Sequence, residues 1–124
     1  MSSQGFDINK SQVSDETLAN FLADDIHEDI TTVPGIGPAA AAALAVDTEN
    51  EPGVKNTYQL IGKFLALHEP NMTSQDHMDA FWFWLQAKKV KNWRAGIVHA
   101  IAERVSIMMT QKYRVDAVMT QVVE

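Results

Sequence analysis

Between two stretches of helical pattern the chain reads Val33-Pro34-Gly35-Ile36-Gly37-Pro38, followed by Ala39 to Ala43 and Leu44. The two prolines prevent one helix from running through the segment. The two glycines let the backbone take conformations that other residues reach only at a cost. Pro38 stands where a first helical residue has no use for its N–H, and the alanine run after it is strongly helix-forming. The segment therefore predicts a sharp turn, anchored by Ile36 pointing inward, with a helix starting directly behind it. The bare N–H groups at such a helix start suit an oxygen anion, most commonly a nucleic-acid phosphate. A purely structural turn is the alternative. A nucleotide-binding loop is excluded, because no Gly-Lys-Ser/Thr follows and no strand precedes the glycines.

The rest of the chain is helical in its periodicity, and the expected fold class is all-α, a compact bundle of five to six short helices. Ser14 is a candidate N-cap with Asp15 and Glu16 in the first turn, and Leu18, Phe21, Leu22 and Ile26 predict an amphipathic helix over 15–29. The alanine helix covers 39–46, and 47–54 reads as a loop by composition. Tyr58, Leu60, Ile61, Phe64, Leu65 and Leu67 predict a buried helix over 55–68, with Gly62 at a close helix crossing. Thr73 or Ser74 caps the next helix, where Met78, Phe81, Trp82 and Leu85 form a stripe and Phe83 and Trp84 add apolar bulk outside it. Asn92 is the expected cap of the last helix, whose apolar face runs from Ile97 to Met109 and weakens beyond. No alternating strand pattern of any length occurs. Residues 1–13 read as a flexible N-terminal arm, 14–111 as the helical domain, and 112–124 as a C-terminal extension with a weaker helical pattern.

Charge is polarised. The formal net charge is −6. Yet residues 88–114 carry Lys88, Lys89, Lys91, Arg94, Arg104, Lys112 and Arg114 against Glu103 alone, a net of +6. A basic block on an acidic chain gives the surface a side that meets anions; a solvated helix face is the plainer reading. The 124 residues fit one domain, and the absence of cysteine excludes disulfides and thiolate chemistry. There is no bilayer-length apolar run and no basic-then-apolar leader, so a soluble, intracellular protein is expected without membrane insertion. His27, His68, His77 and His99 have no metal-site spacing. Asp24, Asp25, Glu28 and Asp29 are explained as a solvated helix face, and no serine has a recognisable His and Asp partnership. The expectation is no enzyme, no catalytic residues, no metal and no cofactor. Trp93, set among the cations at the start of the last helix, is read as a packing residue before a stacking one.

The order of motifs resembles a known family. After the Gly35-Ile36-Gly37 turn and the alanine helix come Thr57-Tyr58-Gln59-Leu60-Ile61-Gly62-Lys63-Phe64-Leu65-Ala66-Leu67, then Phe81-x-x-Trp84-Leu85, then Lys91-Asn92-Trp93-Arg94. From about residue 15 to 109 this is similar to barrier-to-autointegration factor, a small helical chromatin protein of eukaryotic nuclei. The resemblance implies a helix-hairpin-helix, SAM-like domain that forms a homodimer and binds, even bridges, double-stranded DNA without sequence preference. It implies a hairpin formed by Gly35, Ile36 and Gly37, a backbone that faces DNA at Ala39 and Ala40, and a basic pair at Lys91 and Arg94. It also implies a nuclear, and in part cytoplasmic, location, and LEM-domain-like, lamin-like or histone partners.

The chain departs from the family in several places. Asp15-Glu16-Thr17 stands where the family has a DNA-contacting lysine, and the loop before the last helix is shorter. The family's cysteines are absent, Trp82 and Phe83 replace polar residues, and 110–124 has no counterpart. A protein-interaction module of the same fold that has lost tight DNA binding is therefore the second reading.

Overall fold

A computed structural model describes residues 5–123, with side chains placed over 5–109. The described residues form five α-helices and two short 3-10 turns, Ile8–Lys10 and Ile30–Thr32, with no β-strand among them. The helices are α1 (Asp15–Ala23), α2 (Pro38–Leu44), α3 (Thr57–Ala66), α4 (Ser74–Ala87) and α5 (Arg94–Val123). The all-α expectation is met. Helix α5 lies at the centre, and α1, α3, α4 and the Ile8–Lys10 turn all pack on it. Its inward residues Ile97, Val98, Ala100 and Ile101 have no exposed surface. Ile97, Val98 and Ile101 meet Leu44, Leu60, Phe81 and Leu85 in one core, and Phe81 stands edge-on to Phe64 at 5.1 Å. No helix among the described residues is long and apolar enough to cross a membrane.

Helix ends follow local chemistry. Ser14 accepts the Thr17 N–H at 3.1 Å and starts α1. Thr73 and Asp76 form a reciprocal capping box on α4. Asn56, rather than an earlier residue, caps α3 by accepting the Gln59 N–H at 2.8 Å. Helix α4 ends in a Schellman motif: the Val90 N–H donates to Leu85 O and the Lys89 N–H to Gln86 O, both at 3.0 Å. Lys89 occupies the left-handed position of that motif with φ +73°, a place that glycine usually takes.

Several expectations are corrected. Helix α1 stops at Ala23, not at 29. Asp24 turns extended and its carboxylate accepts the Asp25 N–H, while Asp29 caps the Ile30–Thr32 turn through the Thr31 N–H and hydroxyl. The carboxylates read as a solvated helix face are therefore partly capping groups in a loop. That loop is pinned to α3: Thr57 N–H donates to Glu28 O at 3.0 Å and Tyr58 OH to Ile26 O at 3.1 Å. Gly62 makes no close crossing, since a Cβ there would meet nothing within 4 Å. Tyr58 and Leu65 of α3 point outward, 56% and 40% exposed. Asn92 does not cap α5; the residue before Arg94 is Trp93, whose carbonyl accepts the Ile97 N–H at 2.9 Å.

The arm over 1–13 is not free where it is described. Phe6 is buried, its N–H donates to Asp79 Oδ1, and the Gln75 side chain donates to its carbonyl, each at 2.8 Å. Ser11 Oγ and His99 Nδ1 share a hydrogen bond of 3.0 Å. One buried aromatic and three tethers outweigh the polar composition. Helix α5 continues through Val123 into the expected extension. The expectations for residues 1–4 and for the side chains of Lys112 and Arg114 lie outside the described residues.

Candidate nucleic-acid interface

The glycine turn is built against the start of α5. Gly35 has φ +94°, a left-handed conformation, and a Cβ there would stand 2.9 Å from Ile97 Cγ1 and 3.2 Å from Trp93 Cβ. Only a residue without a side chain fits both the torsion and the contact. Ile36 is buried, as the sequence predicts, and its N–H is spent on Val33 O at 3.0 Å. It anchors the turn and has no N–H to offer a ligand. Gly37 differs from Gly35. Its backbone is extended, with φ −99° and ψ −169°, and a Cβ there would meet nothing within 4 Å. Neither torsion nor packing within the chain calls for glycine at 37. Pro38 is the first residue of α2, and the first bond of that helix runs from the Ala41 N–H to Gly37 O at 3.0 Å. The N–H groups of Ala39 and Ala40 precede it and have no acceptor within the helix.

This turn lines a cavity of about 1020 Å³. Residues 31–40 form one wall, residues 89–93 another, and Phe21, Asp24, Asp25 and His27 close the side nearest α1. Gly35, Ile36, Gly37, Ala39, Ala40 and Lys91 are thus brought together as the sequence predicts. Arg94 is not. Its guanidinium donates to Val90 O at 2.6 Å and lies 4.4 Å from the centre of the Trp82 ring. It closes the link between α4 and α5 rather than the cavity.

Three described cations of the basic block, Arg94 among them, are absorbed by the fold. Lys88 is buried and donates to Val46 O at 2.9 Å. Arg104 is buried and donates to Leu22 O and Asp24 O at the end of α1. Among the described residues of the block, Lys89 and Lys91 are the cations at the cavity. Lys89 and Trp93 are the residues that sequence reasoning left out of the site. Both have positive φ, +73° and +68°, and both line the cavity. Such backbone is costly for residues with a side chain and clusters at functional sites. For Lys89 a signal existed: apolar Val90 follows two lysines just after a helix, the pattern of a Schellman end. For Trp93 the local sequence carries none.

The electrostatics are mixed. The His27 Nε2–H donates to Asp24 Oδ2 at 3.0 Å, and this bond, with the Asp25 N–H, holds the pKa of the Asp24 carboxyl below its ordinary value. Asp24 is therefore a fixed anion on the cavity that also holds Lys89 and Lys91. Among the described residues, no group of three or more His, Asp or Glu side chains is placed to hold a metal ion. Family models, curated proteins and solved structures provide no match to this chain.

Proposed function

We propose that this chain is a non-enzymatic, sequence-independent binder of double-stranded DNA, of the helix-hairpin-helix, SAM-like type that barrier-to-autointegration factor represents. The observation that carries the reading is Gly37, a glycine required by nothing inside the chain, open to a cavity shared with the Ala39 and Ala40 N–H groups and with Lys89 and Lys91. A phosphate seated there takes hydrogen bonds from the backbone and charge from the two lysines. A Cβ at 37 would occupy the approach. Contact to phosphate alone carries no sequence information. The outward residues Tyr58, Gly62 and Leu65 of α3 support burial against a second copy, and a homodimer with two cavities would bridge two duplexes. A nuclear location, with LEM-domain-like, lamin-like or histone partners, follows from the resemblance alone.

The test is binding of unrelated duplexes by the full chain at low salt, beside Gly37→Glu. We expect similar affinities across sequences and loss of binding in the variant with helix content unchanged. No binding at low salt would sink the reading.

A second reading is favoured by Asp24 and Asp25 on the same cavity. There the chain is a protein-interaction module of the same fold, and the cavity takes a segment with its own cations. Binding of no duplex, together with a stable dimer that captures a basic peptide, would support this reading.

A further inference from the structure

We infer that the cavity receives an unpaired nucleotide, with Trp93 stacking on its base, so that the chain prefers a duplex carrying an extruded base to a fully paired one. This rests on the DNA-binding reading and narrows it. A paired duplex presents a convex ridge of phosphates, for which a ledge of N–H groups and two lysines is enough. The structure instead holds a concavity of about 1020 Å³. Pockets for small ligands, a nucleotide among them, run to about 300–1,000 Å³.

Trp93 lines this cavity and remains 48% exposed. Its Cβ packs where a side chain on Gly35 would go, and its ring passes beside Gly96, where a Cβ would meet Cε3 at 3.8 Å. The residue is held in left-handed backbone at φ +68°, a conformation unfavourable to a bulky side chain. The fold thus fixes Trp93, about half of it exposed, in the wall that also carries Lys91 and against the glycine turn through its Cβ. Cations that track phosphate beside an aromatic platform are the arrangement by which proteins hold unstacked bases.

The acidic side of the cavity fits the same ligand. Asp24 and Asp25 repel a phosphate ridge, but a carboxylate accepts a hydrogen bond from the amine of cytosine. Phosphate near Lys89 and Lys91, with the base turned toward Trp93 and the carboxylates, uses both signs of charge. A paired base is stacked between its neighbours and offers the ring no free face, so a base that stacks on Trp93 must be extruded.

The experiment compares the full chain on one duplex and on the same duplex with a single bulged cytosine. Trp93→Gly and Trp93→Phe are measured beside the wild type. Trp93→Gly removes the ring and suits the left-handed backbone; Trp93→Phe keeps an aromatic face. We expect the bulged duplex to bind about tenfold more tightly, the range of one stacked base. The ratio should fall to about one in Trp93→Gly and largely survive in Trp93→Phe. A wild-type ratio of one, or a ratio unchanged in Trp93→Gly, overturns the inference. If the paired duplex still binds and Gly37→Glu abolishes that binding, the failure belongs to this inference alone. If neither duplex binds, the DNA-binding reading fails with it.

Discussion

A methyl group added at Gly35 would stand 2.9 Å from Ile97 Cγ1, whereas one added at Gly37 would meet no atom within 4 Å. The two positions should therefore separate stability from binding. Gly35→Ala places a side chain on a left-handed residue and against the core, and should destabilise by about 1–3 kcal/mol. Denaturant unfolding would measure it. Gly37→Ala should leave the unfolding midpoint nearly unchanged and weaken duplex binding. A large loss of stability there would return Gly37 to a structural role. Lys89 makes the opposite test. At its φ of +73° glycine is favoured, so Lys89→Gly should stabilise the chain by about 0.5–1 kcal/mol. The same change removes one of two cavity cations and should reduce DNA affinity. A variant that is both more stable and a weaker binder would show that the strain at Lys89 serves the site. Unchanged affinity would show that its charge does not reach the ligand.

Arg104 joins elements that the sequence shows only as separate helical patterns. Its guanidinium bonds the carbonyls of Leu22 and Asp24 at the end of α1 and lies 5.4 Å from the centre of the Phe21 ring. Arg104→Ala leaves those carbonyls without their donor and should cost about 2–4 kcal/mol, with faster amide exchange in α1 than in α3. Equal acceleration in both helices would count against a local role. The loop before α3 is tied similarly. Glu51 accepts from Trp84 Nε1 at 2.7 Å and from Lys63 Nζ at 3.0 Å. The Trp84 bond is the main cause that lowers its pKa in the fold, and Lys63 adds to it. Since the folded carboxyl is the stronger acid, its stabilisation is complete above the unfolded value of about 4.3 and is lost as pH falls through the folded value. Acid unfolding of Glu51→Gln should therefore depend less on pH below about 4.3 than that of the wild type. Identical slopes would remove Glu51 from the acid transition. Helix positions were legible because apolar spacing and caps such as Ser14 and Thr73 are local signals. The destinations of Arg94, Arg104 and Lys88 were not. A buried cation on a backbone carbonyl looks, in sequence, the same as one in solvent. Residues 5–13 show the same limit, because the bonds that hold Phe6 come from Gln75 and Asp79, far along the chain.

At the scale of the whole molecule, this redistribution of cations sets how DNA should be held. The chain has ten Lys and Arg residues and a formal charge of −6, so long-range attraction to a polyanion is absent. The cavity contacts are then the expected source of affinity. Lys88, Arg94 and Arg104 are committed to carbonyls, and Lys63 pairs with Glu51. Lys89 and Lys91 remain as the described cations at the site. Each phosphate neutralised by a cation contributes about −0.9 to the slope of log affinity against log salt, so one cavity should give a slope of about −2. Binding should then weaken by about tenfold between 50 and 200 mM salt, far less than for a protein with a broad basic face. Lys89→Gly should bring the slope to about −1, while Trp93→Gly should leave it unchanged, because stacking releases no counterions. A salt titration of all three proteins on one duplex would check this. A wild-type slope of −4 or steeper would mean that cations beyond the cavity also reach the phosphates. A slope of zero would mean that the glycine turn and its lysines hold no phosphate.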